Sequence, residues 1–96
     1  MGNDRKVAIV TGSARGIGKS IAANLADKGI SVVITDVMID QAEETAKELA
    51  KKGVETLAIK ADVSNVSEVK DLYKKVVGEF GTVDYLINNA GILAII

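Results

Sequence analysis

Three glycines follow the first apolar run of the chain closely, and they mark a segment able to bind a phosphate group. The segment reads Thr11-Gly12-Ser13-Ala14-Arg15-Gly16-Ile17-Gly18. Glycine lets the backbone turn sharply and approach a ligand without a Cβ in the way. A helix that begins here would present unpaired N–H groups and the positive end of its dipole, which suits phosphate. The alternative is a tight turn with close helix packing, for which one glycine would be enough.

The spacing of the glycines separates two kinds of phosphate ligand. A nucleoside-triphosphate loop requires glycine, four residues, and then Gly-Lys-Ser or Gly-Lys-Thr, whereas five residues separate Gly12 from Gly18-Lys19-Ser20. A dinucleotide loop requires an acidic residue about 20 positions further on, at the end of the second strand, to hold the adenosine ribose. Asp36 stands 18 positions after Gly18 and follows an apolar run. The spacing therefore favours a dinucleotide, with an NTP-binding domain as the lesser alternative.

Asp36 also bears on the choice between the two nicotinamide dinucleotides. A carboxylate that accepts from the ribose 2′-hydroxyl would repel the 2′-phosphate of NADP. Arg15 acts in the opposite direction, because its guanidinium could reach a 2′-phosphate. Asp36 occupies the discriminating position directly, while Arg15 is able to swing into solvent. We therefore expect NAD in preference to NADP.

The elements that position this loop are predicted by hydrophobic periodicity. Four short apolar runs predict strands over 7–10, 31–35, 55–59 and 84–87, and the first, second and fourth are near-continuous and β-branched. Apolar residues of helical period lie between them. The three stripes are Ile17, Ile21, Ala22, Leu25 and Ala26; Ile39, Ala42, Ala46, Leu49 and Ala50; and Val66, Val69, Leu72, Tyr73, Val76, Val77 and Phe80.

The ends of these helices are predicted by capping residues. Asp40 with Glu43, and Asn65 with Glu68, have the spacing of an N-cap and its partner. Gly29, Gly53 and Gly81 stand where the three helices should stop. The resulting order is β-α-β-α-β-α-β. Helical crossovers require parallel strand pairing, so the chain predicts an α/β three-layer fold, without linkers, as one domain over 1–96.

Composition excludes several classes of function. The chain has 12 basic and 13 acidic residues and a net charge of −1, without the basic excess of a nucleic-acid or membrane-surface protein. It contains no cysteine and no histidine, which excludes disulfides and the metal sites and catalysis that use those side chains. No apolar run approaches the length of a membrane helix and the start lacks a secretory segment, so we expect a cytoplasmic protein.

The glycine pattern Thr11-Gly12-x-x-x-Gly16-x-Gly18 resembles the variant used by the short-chain dehydrogenase/reductase family. Further matches follow in order: Val37 after Asp36, where NADP-preferring members tend to place a basic residue, then Asp62-Val63, then Asn88-Asn89-Ala90-Gly91. The resemblance spans residues 6–92. It implies a doubly wound, Rossmann-type parallel sheet with strand order 3-2-1-4. Among subfamilies it looks most like the 3-oxoacyl-[acyl-carrier-protein] reductases and related alcohol or diol dehydrogenases.

The resemblance also implies roles for particular residues. The pyrophosphate and the adenosine ribose would be surrounded by Gly12, Ser13, Arg15, Gly16, Ile17 and Gly18. Asp36 would hold the ribose, and Asp62 and Val63 would contact the adenine. The nicotinamide-side ribose would be lined by Asn89, Ala90 and Gly91, which would also brace neighbouring strands. For Asn89 the bracing role alone is an open alternative.

The family's catalytic pattern has no counterpart in these residues. Its chemistry uses a Ser and a Tyr-x-x-x-Lys pair, but four residues after Tyr73 and Tyr85 stand Val77 and Asn89. We therefore assign no catalytic and no metal-binding residue. We expect the 96 residues to be the nucleotide-binding half of a longer reductase, inactive alone, whose substrate is a small carbonyl compound or alcohol.

The sequence also bears on the oligomeric state of the protein and on functions other than oxidoreduction. The resemblance implies a homo-oligomer, and an exposed apolar fourth strand would itself invite pairing with another copy. A non-catalytic nucleotide-binding or assembly module is the main alternative function. A phosphoacceptor domain with Asp62 as acceptor is a weaker one, because the end of the first strand lacks the acidic residues that would bind Mg²⁺.

Overall fold

The computed structural model describes residues 5–89 and contains every predicted element. The strands and helices are β1 (Val7–Thr11), α1 (Gly16–Asp27), β2 (Ser31–Asp36), α2 (Ile39–Ala50), β3 (Thr56–Lys60), α3 (Val66–Phe80) and β4 (Tyr85–Ile87). The four strands form one parallel sheet in the order β3-β2-β1-β4. The predicted order 3-2-1-4 is therefore confirmed.

The sheet is the middle of three layers, with one hydrophobic cluster on each face. One cluster packs α1 and α2 against the sheet and includes Val10, Val32, Ile34, Ala42 and Leu49. The other packs α3 against the opposite face and includes Ile9, Val33, Ile59, Leu72 and Val76. All five residues of β1 are buried, which explains why its sequence is continuously apolar rather than alternating.

The capping predictions are confirmed for α3 and wrong for α2. Asn65 caps α3, because its side chain accepts a hydrogen bond of 3.2 Å from the Glu68 N–H. The α2 helix begins at Ile39, one residue before the predicted cap Asp40, and its N-cap Met38 makes no side-chain capping bond. The reason is that Asp36 Oδ1 accepts from the Met38 N–H at 3.1 Å, which organises the turn before Asp40 is reached.

The predicted apolar stripe of α1 is wrong at its first member. Ile17 is 73% exposed, and the buried residues of the helix are Gly18, Ala22 and Ala26. The first turn of α1 packs Gly18 against the loop and leaves the adjacent side chain facing outward. Ile17 is therefore an apolar side chain at the mouth of the predicted site rather than part of the core.

Within the described residues, two ion pairs lie on the surface of α1. Lys19 of α1 pairs with Glu48 of α2 at 3.1 Å, and Asp27 at the end of α1 pairs with Lys52 in the turn after α2 at 2.7 Å. Within residues 5–89, no helix is both long enough and apolar enough to cross a membrane.

Candidate dinucleotide-binding site

The glycine-rich loop turns off β1 and delivers the chain directly into α1. Gly12 and Gly16 have φ of 62° and 64°, a left-handed conformation that glycine adopts without a steric penalty. Arg15 is the N-cap of α1, is extended, and makes no side-chain capping bond, and the first turn contains no acidic residue. No acidic side chain of the first turn and no capping side chain therefore neutralises the N-terminal N–H groups of α1. These groups are available to bind a phosphate.

The loop is fastened to β2 through Ser13. The Ser13 hydroxyl donates to the Val10 carbonyl at 2.6 Å and accepts from the Thr35 N–H at 3.1 Å. The Ser13 N–H donates to the Thr35 carbonyl oxygen at 3.2 Å. Since Ser13 is fully buried, its side chain holds the loop in place rather than facing a ligand.

Gly18 allows the start of α1 to lie directly on the loop and on the segment after β4. A methyl group at this position would overlap the Gly12 carbonyl oxygen and would lie 2.6 Å from Asn89 Nδ2. No side chain fits there unless the backbone moves. The third glycine of the motif is therefore explained by close packing, and the first two by backbone conformation.

Asp36 lies at the end of β2, as predicted, and faces the loop. Its Oδ2 accepts from the Ala14 N–H at 3.1 Å, and its Oδ1 accepts from the Met38 N–H at 3.1 Å. Each carboxylate oxygen has about two lone-pair directions, so each keeps one acceptor direction for a further donor. Asp36 thus has a structural role that spacing alone did not reveal, and it retains the capacity to accept from a ribose hydroxyl.

A cleft of ≈ 280 Å³ lies beside Asp36, between the ends of β2 and β3. Its lining residues are Gly12, Asp36, Val37, Ala61, Asp62, Val63 and Ser64. The lining thus combines three apolar side chains with two carboxylates and one hydroxyl. That combination suits a flat heteroaromatic ring with a polar edge, such as adenine.

The Asp62-Val63 turn at this cleft is held by local hydrogen bonds, among them one from the Asn65 N–H to the Asp62 carbonyl oxygen at 3.0 Å. Asp62 Oδ1 accepts from the Ser64 hydroxyl at 2.6 Å and from the Ser64 N–H at 2.9 Å. The Asp62 N–H donates to Glu68 Oε1 at 2.8 Å. The hydroxyl bond and then the main-chain bond from Ser64 lower the pKa of the Asp62 carboxyl below its ordinary value. Asp62 therefore presents a charged carboxylate at neutral pH.

Comparison with known proteins places this arrangement in a family. The family model for short chain dehydrogenases matches residues 6–95. The chain belongs to the short-chain dehydrogenase family. The predicted resemblance is thus confirmed.

Individual relatives of this short-chain dehydrogenase chain agree with the assignment. A 3-oxoacyl-[acyl-carrier-protein] reductase of Staphylococcus epidermidis is 50% identical over 88 residues, which are 91% of this chain and 36% of the relative. A diacetyl reductase ((S)-acetoin forming) of the same species is 44% identical over 90 residues, which are 94% of this chain and 35% of the relative. The chain spans about a third of the length of the curated relatives it matches.

Solved structures share the fold closely. A hydroxysteroid dehydrogenase from Escherichia coli superposes with a TM-score of 0.86 at 38% identity, over 91% of this chain and 37% of that one. L-sorbose reductase from Gluconobacter frateurii, solved with NADPH and L-sorbose, gives a TM-score of 0.87 at 37% identity, over 94% and 35%.

In this short-chain dehydrogenase chain, Thr11 joins the ends of β1 and β4. Its hydroxyl donates to Asn88 Oδ1 at 3.1 Å and accepts from the Asn89 N–H at 2.8 Å. Asn89 Nδ2 also reaches the Gly12 carbonyl oxygen at 3.4 Å. The bracing role expected for Asn89 is thus visible in the structure. Thr11 was not among the expected site residues, although its position at the end of β1, beside Gly12, was a usable signal.

The remaining expected residues fall into two groups. Arg15, Gly16 and Ile17 are exposed at the mouth of the loop, where a ligand could reach them. Ala90 and Gly91 lie outside the described residues, so their expected contribution to the nicotinamide-side ribose is a prediction without a structural counterpart.

Proposed function

We propose that this chain is the cofactor-binding part of an NAD(P)-dependent oxidoreductase, which moves hydride between nicotinamide and a carbonyl compound or secondary alcohol. The observation that carries the proposal is the convergence of three features at one edge of the sheet. These are the α1 N-terminus without an internal anion, Asp36 with spare acceptor capacity, and the cleft between Asp36 and Asp62. Phosphate, ribose and adenine each have a matching partner in that order.

Each part of the dinucleotide has specific residues to hold it. The N–H groups at Gly16, Ile17 and Gly18 would bind the pyrophosphate. Asp36 would accept from the adenosine ribose, and Asp62 and Val63 would border the adenine. Asn89, with Ala90 and Gly91, would lie toward the nicotinamide-side ribose. The nicotinamide, when bound, supplies or accepts the hydride.

We propose NAD rather than NADP as the preferred cofactor. Asp36 already accepts two main-chain hydrogen bonds, so it is fixed in place and cannot swing away from a 2′-phosphate. The residue after it, Val37, is uncharged and 55% exposed, so it offers no cation to such a phosphate. Two structural neighbours were solved with NADPH and with 5-hydroxy-NADP. The shared fold therefore accommodates an NADP-type cofactor, and the proposal of NAD for this chain rests on Asp36 and Val37.

The family relatives suggest the substrate class. The matches to a 3-oxoacyl-[acyl-carrier-protein] reductase and to a diacetyl reductase both point to reduction of a carbonyl group. We propose a 3-oxoacyl thioester as the first substrate to assay and a small diketone as the second. A homo-oligomer and a cytoplasmic location are proposed on the same resemblance.

The NTP-binding alternative is disfavoured by the position of one lysine. In a triphosphate loop the lysine after the last glycine reaches the phosphates. Lys19 instead pairs with Glu48 on α2 at 3.1 Å. A non-catalytic nucleotide-binding module would share the geometry of the site, and only an activity assay of the full-length protein distinguishes it from an oxidoreductase.

The test is a fluorescence titration of the full-length protein with NADH and, in parallel, with NADPH. We expect NADH to bind about tenfold more tightly, a ratio that corresponds to about 1.4 kcal/mol. Val37→Arg should strengthen NADPH binding without removing either bond of Asp36, while Val37→Leu serves as the uncharged control. Equal affinity for both cofactors in the wild type would refute the NAD preference, and absence of binding to both would refute the cofactor proposal.

A further inference from the structure

Ala14, at the centre of the glycine-rich loop, is held from two sides by other elements. Ala14 is fully buried, and its N–H donates to Asp36 Oδ2 at the end of β2. Its carbonyl oxygen accepts from the Thr45 hydroxyl at 2.7 Å, the shorter of the two bonds. Thr45 lies within α2 and is 2% exposed, so this hydrogen bond is shielded from water.

Thr45 is an unusual choice for the interior of a helix unless its hydroxyl is needed. A β-branched residue loses side-chain freedom in a helix and is less favourable there than alanine. A helical threonine commonly turns its hydroxyl back to the carbonyl four residues earlier. Here the hydroxyl instead donates to a carbonyl 31 positions away, in the loop. The presence of threonine at position 45 is therefore explained by its hydrogen bond to the loop and not by the stability of the helix.

The bond from Thr45 fixes the direction of the next N–H group. The Ala14–Arg15 peptide bond is trans and planar, so its carbonyl and its N–H point in opposite directions. Because the oxygen is drawn toward Thr45, the Arg15 N–H is directed away from α2. Arg15 is the N-cap of α1, so the orientation of this peptide sets how the chain enters the helix.

The residues next to the Ala14–Arg15 peptide in the loop do not by themselves fix its orientation. The loop has glycines with positive φ at both ends, Gly12 and Gly16, and such residues leave the backbone free to adopt several conformations. The N-cap Arg15 makes no side-chain bond that would fix the first turn. The hydrogen bonds of Ser13 hold the loop at its start, and the two bonds of Ala14 hold it next to the helix.

We propose that Thr45 is a positioning residue of the dinucleotide site. Its hydroxyl orients the Ala14–Arg15 peptide, and through it the N–H groups at the start of α1 that bind the diphosphate. The inference rests on the proposed function, since it concerns how well a diphosphate is bound by this loop. Thr45 itself touches neither the cofactor nor the substrate.

The experiment compares three variants of the full-length protein with the wild type. Thr45→Val removes the hydroxyl while keeping the shape of the side chain, and Thr45→Ser keeps the hydroxyl. Thr56→Val is the matched control, because the Thr56 hydroxyl also donates to a main-chain carbonyl of α2, at 2.8 Å to Ala46, but away from the loop. The readouts are the Kd for ADP by calorimetry, the urea unfolding transition, and the amide chemical shifts of Arg15 and Gly16 without nucleotide.

The expected result separates positioning from general stability. Thr45→Val should raise the Kd for ADP about tenfold, the factor that corresponds to about 1.4 kcal/mol, and should shift the Arg15 and Gly16 amides. Thr45→Ser should keep both the Kd for ADP and the Arg15 and Gly16 amide shifts close to those of the wild type. Thr56→Val should be less stable in urea than the wild type but should bind ADP with the same Kd. If Thr45→Val does not fold, Thr45→Ala takes its place.

Three outcomes would overturn the inference. The first is a folded Thr45→Val that binds ADP as the wild type does. The second is an equal loss of affinity in Thr56→Val, because that loss would reflect stability alone. The third is a wild type that binds neither ADP nor NADH, which overturns the proposed function as well. The first two leave the proposed function intact, so the two failures are distinguishable.

Discussion

Replacement of Gly18 by alanine is the most direct test of the site geometry. The added methyl carbon would lie 2.8 Å from the Gly12 carbonyl carbon, whereas non-bonded carbons prefer about 3.5–4.0 Å. The loop and α1 would therefore have to separate by about 1 Å. The methyl would also lie 2.6 Å from Asn89 Nδ2, so it would push apart the two atoms of the hydrogen bond from Asn89 Nδ2 to the Gly12 carbonyl oxygen, which is already 3.4 Å long. Overpacking of this kind costs about 1–3 kcal/mol.

A second helical glycine supplies the control. Gly78 lies in α3, and a methyl group there would meet nothing within 4 Å. Gly78→Ala should therefore stabilise the protein by about 1 kcal/mol through helix propensity alone. Gly18→Ala receives the same helical gain, so the difference between the two variants isolates the steric conflict.

The assay is urea unfolding followed by circular dichroism, combined with NADH titration. We expect Gly18→Ala to be about 1–3 kcal/mol less stable than Gly78→Ala and to bind NADH more weakly than the wild type. A Gly18→Ala protein that matches Gly78→Ala in stability, or retains full NADH affinity, would refute the close packing of loop, helix and Asn89.

Two further substitutions test individual polar groups. Thr35→Val should raise the free energy of unfolding by about 1 kcal/mol, because the buried Thr35 hydroxyl has no partner among the described residues and an unsatisfied buried group is costly; a loss of stability in urea unfolding would reveal a partner. Ser64→Ala should raise the pKa of the Asp62 carboxyl toward its ordinary value, because the largest cause of its depression is the Ser64 hydroxyl bond. In the wild type, the lowered pKa stabilises the fold above the pKa that Asp62 has in the unfolded chain, and this contribution disappears as the pH falls through the folded pKa. An NMR titration of the Asp62 carboxyl carbon that gives the same midpoint in both proteins would contradict this account.

The strand order was predicted by the family resemblance, whereas periodicity alone predicted only that the strands are parallel. The position of Asp36 was predicted by spacing, because an acidic residue at the end of the second strand must lie near the loop after the first. The bounds of β1, β2, β3 and β4 shift by only one residue between prediction and structure.

The predictions from sequence are wrong where contacts between residues far apart in the chain override the local pattern. Ile17 has the period of a core residue, but the first turn of α1 is occupied on its inner side by Gly18 packed on Gly12. Asp40 has the spacing of a cap, but Asp36 already organises the preceding turn. The bonds of Ser13 and Thr45 to main-chain groups of other elements have no signature in spacing, since Ser and Thr occur throughout the chain, whereas Thr11 is signalled by its position beside Gly12 at the end of β1.

The placement of β1 at the centre of the sheet has a consequence for how the protein folds. The bond between Ser13 and Thr35 closes a loop of 22 residues, while the bond between Asn89 and Thr11 closes one of 78. Closure of the longer loop costs about 1 kcal/mol more in chain entropy. Chain entropy and the order of synthesis both favour the pairing of β1 with β2 over the later pairing of β1 with β4. We therefore expect the hydrogen bonds from Asn89 to the glycine-rich loop to form last.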